Sequence, residues 1–351
     1  MSRLERALNG VPRRPLALLL ATLLAANAVA WLAAIGLATA RPGTLALAGL
    51  AWILGARHAF DVDHIAAIDN VTRKLRHEGE RPVAVGFFFA LGHSSIVVAL
   101  CAAVALGARG LAPRFSELSA FGGVFGTAVS AAFLTFIGLV NLRVLRQLVC
   151  AWRAQGRAGA PDGAHEQEIG ALLDQRGLFA RAFRFLLARV SRSWHMYPIG
   201  ALFGLGFDTA TEIAILGISA GLATTAAFPL WGILVFALLF TAGMTLIDSL
   251  DGVVMLRAYH WAIRDARRRL SFNAVITGMA ACLATVIGAL EWVQLLAARL
   301  GSDGPLRTWL GGLDFGAIGF AVVLAMLATW GIAVAWERMR LAPARRAELN
   351  D

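Results

Sequence analysis

Polarity along this chain is arranged as long apolar runs separated by short basic segments. Runs of about 20 apolar residues, the length that crosses roughly 30 Å of hydrocarbon at about 1.5 Å per residue, fall at about 16–40, 44–69, 83–106, 122–142, 197–221, 228–255, 274–298 and 314–336. They lack a strand's alternation, and a bilayer offers unpaired backbone amides no water. The pattern therefore predicts an all-α integral membrane protein of about eight transmembrane helices, forming one transporter-like domain over 1–351 with a long cytoplasmic loop at 143–196 between spans four and five. The first run contains Ala38-Thr39-Ala40, but it is too long for a signal-peptide core and reads as a retained span.

Composition agrees: 58% of the 351 residues are hydrophobic, well above a soluble domain's share. The net charge of +10 raises nucleic acid as a partner, and its distribution argues against one. Alternate inter-span segments hold 26 of the 32 Lys and Arg, the intervening ones hold five, and Arg57 lies inside a span. This positive-inside bias predicts a multi-pass protein with both termini in the cytoplasm, its surroundings membrane lipid. Within the loop, RGLFARAFRFLLARVSR has apolar residues near helical spacing with arginines between them, the pattern of a helix lying on an anionic leaflet. Cys101, Cys150 and Cys282 are too scattered for a disulfide framework or a thiolate metal site.

Four spans carry the unusual polarity: RHAFDVDHI in the second, FALGHSSIV in the third, LGFDTATEI in the fifth and GMTLIDSLDG in the sixth. Asn141 in the fourth and Glu291 in the seventh are isolated additions. Six acids, Asp61, Asp63, Asp208, Glu212, Asp248 and Asp251, lie in these spans. At about 2.5–3.5 kcal/mol each for mid-bilayer insertion they cannot face lipid, and must share a protein-lined cavity with a cation. Asp208 and Glu212 are four apart with Thr209 and Thr211 between them, and Asp248 and Asp251 are three apart, so each pair shares a helix face. His93 follows Gly92, where another backbone or an ion can approach closely.

Span two resists a straight-helix reading. With His58 at 0°, Asp61 falls near 300°, His64 near 240° and Asp63 near 140° at about 100° per residue. Either Asp63 serves another partner or the helix is distorted.

The four clusters also resemble one another in pairs, AFDVDHIAAI with GFDTATEIAI if one gap is allowed and FALGHSSIV with FTAGMTLID. A correspondence of spans two and three with five and six is the pattern of an inverted-topology repeat, spans one to three against four to six, with one site at the midplane.

A lone buried histidine is usually a hydrogen-bonded packing residue, and a lone intramembrane aspartate can pair with an arginine such as Arg57. Three histidines with six acids exceed that need and point to an ion or proton site. Imidazole and carboxylate without thiolate suit Ni²⁺, Co²⁺ or Zn²⁺ and disfavour Cu(I). Enzyme motifs fail: HEQEI ends in Ile169 and HEGER in Arg81 where a zinc protease helix needs histidine, and Lys74, the one lysine, is in no phosphate-binding loop. No catalytic residues and no bound cofactor are expected.

RHAFDVDHI carries His-x-x-x-x-Asp-His as His58, Asp63 and His64, and with LGHSSIV, LGFDTATEI and GMTLIDSLDG in the same order it resembles the nickel/cobalt transporter (NiCoT) family of secondary permeases. Departures are small: Val62, Ser95 and Ser249 stand where Ala, Thr and Thr are common. The resemblance implies uptake of Ni²⁺ and/or Co²⁺ across a bacterial cytoplasmic (inner) membrane without ATP or an ATPase subunit, with His58, Asp63 and His64 central to recognition. It also places His93, Asp208, Thr209, Thr211, Glu212, Asp248 and Asp251 at the family's other polar motif positions, with Asn141 a weaker addition and Asp61 a further candidate from the histidine face. The bulky Phe60 leans the expectation toward a site that accepts Co²⁺ as well as Ni²⁺. Sequence gives no direction of transport, so a divalent-metal exporter is the main alternative, and an intramembrane metal-dependent hydrolase a lesser one. For His58, Asp63 and His64 to reach one ion, span two must break or bulge between about residues 57 and 64, bringing Asp63 in directly or leaving it to hold an imidazole from outside. If it does not, Asp61 becomes the better ligand.

Overall fold

The computed structural model describes residues 12–107, 190–205, 209–223, 228–262 and 266–299, with scattered positions in 124–150, at 225 and in 317–332. All regular structure among these residues is helical: α1 (Arg13–Ala40), α2 (Thr44–His58), α3 (Val62–His77), α4 (Val85–Gly107), a short 3₁₀ turn at Ser193–His195, α5 (Met196–Phe203), α6 (Ala210–Ala223), α7 (Leu230–Ala262) and α8 (Ala266–Arg299). Four of them, α1, α4, α7 and α8, are long and apolar enough to cross a bilayer, and α2 with α3 makes a fifth, broken crossing. Ser130–Arg143 and Thr211–Ala223 are shorter apolar helices.

Local sequence explains several boundaries. Pro15 lies in the first turn of α1, where its missing N–H has no intrahelical partner to lose. The helix stops before Arg41, which precedes Pro42 and is pushed out of the α region (φ −146°, ψ 80°). Thr44 starts α2 with its hydroxyl donating to the Arg41 carbonyl at 2.8 Å.

Span two, expected over 44–69, ends its first helix at His58 and restarts at Val62, with a bend of 54°. No glycine or proline lies between Ala56 and Asn70, so propensity alone would have continued the helix. The turn is closed instead by amides of Phe60 and Asp61 donating to the carbonyls of Arg57 and His58 at 3.0 and 2.9 Å, after which Asp61 adopts an extended backbone (φ −64°, ψ 142°). Those carbonyls are therefore used within the turn. Span five, expected as one helix over 197–221, is also divided, into α5 and α6. Its LGFD segment leaves Asp208 outside the described residues, as are most of the 143–196 loop, the RGLFARAFRFLLARVSR segment and much of span eight.

Helix α7 is the centre of the bundle, packing on α1, α2, α3, α4 and α6. Phe236, Leu239 and Phe240 are fully buried there with Ala48 and Ala51 of α2 and Cys101 of α4. The backbones meet closely because small residues sit at the crossings: a side chain on Gly55 would run into the Phe240 carbonyl, and one on Gly200 of α5 into the Phe89 carbonyl of α4. A polar pin joins three helices, with Trp52 Nε1 donating to Asn27 Oδ1 at 2.9 Å and Asn27 Nδ2 reaching the Leu23 and Ala242 carbonyls. Leu18, Leu24 and Leu32 of α1 are each about two-thirds exposed on the opposite face, the inversion expected where lipid is the solvent.

Candidate metal site

Three helices that are distant in sequence deliver one histidine each to a common point. His58 is the last residue of α2, His64 lies in the first turn of α3, and His93 sits in the middle of α4. All three are buried, and their ring centroids form a nearly equilateral triangle with edges of 4.6, 4.8 and 4.9 Å. One donor atom from each lies within 4.8 Å of the others. Glu212, in the first turn of α6 and 1% exposed, closes the fourth side, its Oε1 2.9 Å from His93 Nε2 and 3.8 Å from His58 Nε2.

Outer partners fix which nitrogens face inward. Asp61 Oδ2 accepts from His58 Nδ1 at 2.7 Å, and Asp248 Oδ2 from His64 Nδ1 at 3.0 Å. With each Nδ1 proton held by a carboxylate, the Nε2 lone pairs of His58 and His64 are the available ones. His93 Nε2 lies 3.0 Å from His58 Nε2 as well as against Glu212, a shared hydrogen bond in which His93 donates. The hydroxyls of Thr209 and Thr211 come within 3.4 and 3.2 Å of His58 Nδ1, and Thr209 donates to Glu212 Oε2 at 3.0 Å. Phe240 and Phe89 wall the triangle, 5.6 Å from His58 and 4.8 Å from His64 between ring centroids.

These spacings suit a first-row divalent cation. Donors about 2.1 Å from a common centre stand about 3.0 Å apart when they subtend a right angle, rising to about 4.2 Å when opposed. The 2.9, 3.0 and 3.8 Å separations among His58, His93 and Glu212 lie close to that range, and the histidine donors as a set, within 4.8 Å of one another, would close in by some tenths of an ångström around an ion. Nitrogen and carboxylate donors in a nearly dry, aromatic-walled cage can strip a hydrated ion and compensate it with charge.

The residues expected at the site therefore separate into groups. His58, His64, His93 and Glu212 converge, with Asp61, Asp248, Thr209 and Thr211 immediately around them. Asp63 is half-buried in the first turn of α3, and its Oδ1 accepts the backbone N–H of His64 at 2.9 Å. The role of outer acceptor considered for Asp63 is filled by Asp61, which the helical angles place on the histidine face. Asp251 lies a turn beyond Asp248 on α7, both its oxygens shielded and without a hydrogen-bond partner. Phe60 turns toward Phe320, ring centroids 5.2 Å apart, and does not line the cage.

Sequence reasoning missed a second polar hub. Arg73 of α3 donates to Thr277 of α8 at 2.7 Å, to Asn70 at 2.8 Å and to Asn141, which in turn donates to Asn70 at 3.0 Å. The signal was present in Asn141, an isolated polar residue in span four, and in Arg73, four residues beyond the apparent end of span two at 69.

Comparison with known proteins is decisive about kinship. The chain is 42% identical to the nickel transporter NicT of Mycobacterium tuberculosis over 346 residues, covering 95% of this chain and 91% of that one. It is 43% identical to a high-affinity nickel transport protein of Cupriavidus necator over 334 residues (95% and 94%), and 40% identical to the cobalt transport protein NhlF of Rhodococcus rhodochrous over 309 residues (86% and 85%). No solved structure matches it. Residues 44–335, which include every histidine and carboxylate described above, match the family described as high-affinity nickel-transport protein, and the chain belongs to that family.

Proposed function

We propose that this protein takes up Ni²⁺ and/or Co²⁺ across the cytoplasmic membrane as a secondary permease, without ATP or an ATPase subunit, using the histidine triangle and Glu212 as its intramembrane recognition site. The observation that carries the reading is the convergence of three buried histidines and one buried glutamate from four separate helices, α2, α3, α4 and α6. Relatives named for both nickel and cobalt support a site that takes either ion. Selectivity for small borderline cations follows from the donor set.

In the resting arrangement a proton on His93 Nε2 occupies the space between His93, Glu212 and His58. An arriving cation takes that place, since a coordinating nitrogen needs its lone pair, so uptake begins with loss of hydration water and a shift of the His93 ring proton from Nε2 to Nδ1, with no net proton released by His93. The ring can carry its proton on Nδ1, which has no hydrogen-bond partner.

An eight-span arrangement with both termini cytoplasmic completes the reading: α1, α2 with α3, α4, α7 and α8 supply five spans, and the apolar runs at 122–142, 197–221 and 314–336 the others. Helices α3 and α7 run in the same direction, since His64 meets Asp248 and Ile68 meets Gly252, both pairs 184 residues apart. That agrees with three crossings between spans two and six. The inverted repeat is supported by each half having one divided span, α2 with α3 and α5 with α6.

The test is accumulation of radiolabelled Ni²⁺ or Co²⁺ at submicromolar metal by cells expressing the protein, against a vector control and His93→Ala. Accumulation above both supports the reading. Wild-type accumulation equal to the vector, with expression verified, refutes it, and a fall below the vector would indicate export.

A further inference from the structure

Residues 209–212 read Thr-Ala-Thr-Glu, the pattern in which a threonine at the start of a helix and a glutamate three residues on satisfy each other's open groups. The structure builds that arrangement. The Thr209 carbonyl accepts the Ile213 amide at 3.1 Å, which makes Thr209 the residue that opens α6, and its Oγ1 accepts the Glu212 backbone N–H at 3.4 Å. In return the Thr209 hydroxyl donates to Glu212 Oε2 at 3.0 Å, and the Thr209 backbone N–H acts on the same carboxylate. The start of a helix also favours a negative charge at this position.

The carboxylate is thereby divided between two tasks. Oε2 is turned to Thr209, while Oε1 faces His93 Nε2 at 2.9 Å and His58 Nε2 at 3.8 Å. The direction of the hydroxyl chain follows from counting hydrogens. Thr209 has one hydroxyl hydrogen and gives it to Glu212, so in the 3.1 Å contact between the two threonines Thr211 is the donor. His58 Nδ1–H is given to Asp61 at 2.7 Å, with the Thr211 and Thr209 oxygens to one side at 3.2 and 3.4 Å. Both hydroxyls thus meet His58 at Nδ1, the nitrogen turned away from the cage, and act on the site through Glu212 and His58.

We infer that Thr209 is the positioning residue that limits Glu212 to a single metal-binding oxygen, and that this limit tunes the cage to small borderline cations. The inference rests on the recognition site proposed above. A charge-assisted hydrogen bond in a dry site holds Oε2 away from the ion, so the substrate meets three histidine nitrogens and one carboxylate oxygen. Larger and harder cations gain more from a carboxylate that offers both oxygens and from a higher coordination number, and oxygen-rich sites suit Mn²⁺. Without the Thr209 hydroxyl the second oxygen turns to the ion, and the discrimination between Co²⁺ and Mn²⁺ narrows.

The experiment uses purified full-length protein in lipid nanodiscs, with Co²⁺ titrated by visible absorption and Mn²⁺ by electron paramagnetic resonance. Thr209→Ser keeps the hydroxyl and should reproduce the wild-type Co²⁺ bands and affinity. Thr209→Val and Thr209→Gly remove it. Each should weaken the Co²⁺ bands, whose intensity falls as coordination number rises, and lower the affinity for Co²⁺ relative to Mn²⁺ by about tenfold or more. The glycine variant separates positioning from helix capping: glycine starts a helix nearly as well as threonine, so its melting temperature should stay close to that of wild type while its spectrum changes. Valine and glycine variants with wild-type bands and an unchanged ratio of the two affinities would overturn the inference, as would a serine variant that behaves like valine. Uptake by cells tests the reading beneath it separately. Wild type that accumulates neither Ni²⁺ nor Co²⁺, while the purified variants shift as described, would refute transport and leave the role of Thr209 standing.

Discussion

Asparagine replacements at Asp61 and Asp63 distinguish the geometry found here from the one the linear motif suggests. Asp61 Oδ2 is 2.7 Å from His58 Nδ1, in a site where both groups are nearly dry, so its charge fixes the ring orientation and raises the basicity of Nε2. Removing such an outer partner typically costs about 10–100-fold in metal affinity, which is about 1.4–2.7 kcal/mol. Asp63 Oδ1 accepts only the His64 backbone N–H, at 2.9 Å. Asparagine keeps that acceptor, and the lost charge at the first turn of α3 costs at most about 1 kcal/mol of local helix stability. Asp61→Asn is therefore expected to raise the concentration of Co²⁺ that half-saturates the purified protein by at least about tenfold. Asp63→Asn should shift it by less than about threefold. The assay is titration followed by visible absorption, with uptake at low and saturating metal as a companion. If Asp63→Asn is the more damaging of the two in the titration, the assignment of the outer carboxylates is wrong, and span two adopts a different turn when metal is bound.

Glu212→Gln keeps the size of the fourth wall but removes its charge, and should weaken Co²⁺ binding by about a hundredfold or more; binding within a few fold of wild type would exclude Glu212 as a ligand. Because the His93 proton shifts to Nδ1 and stays on the ring, Co²⁺ binding should release less than about one proton, read by calorimetry in buffers of different ionisation enthalpy, and a buffer-dependent heat equivalent to a full proton or more would contradict that shift. Gly55→Leu drives a side chain into the Phe240 backbone and should destabilise the purified protein by about 1–3 kcal/mol or prevent its accumulation; an unchanged melting temperature would show that α2 and α7 are not so close. Trp52→Phe strands the Asn27 acceptor and should cost about 1–3 kcal/mol while sparing the visible Co²⁺ spectrum, a separation that an altered spectrum would disprove.

Much of this protein was legible in one dimension because the bilayer imposes a simple rule. Backbone groups in hydrocarbon must pair within their own segment, so each apolar run becomes a helix, and intramembrane charges are costly enough to mark a site by their presence. That logic identified α1, α4, α7 and α8 and singled out all three histidines and Glu212. It failed where tertiary contacts overrule local preference. No glycine or proline marks the break at residues 59–61; it is held by Asp61 bonding His58 and by the packing of α2 and α3 on α7, which is why periodicity assigned the two aspartates faces but not partners. The ligand set was written into the sequence as residue types whose charge needs a cation. Which members of that set meet was decided only by the packing of α2, α3, α4 and α6, because the convergence of His58, His64, His93 and Glu212 is a set of distances between helices and has no counterpart along the chain.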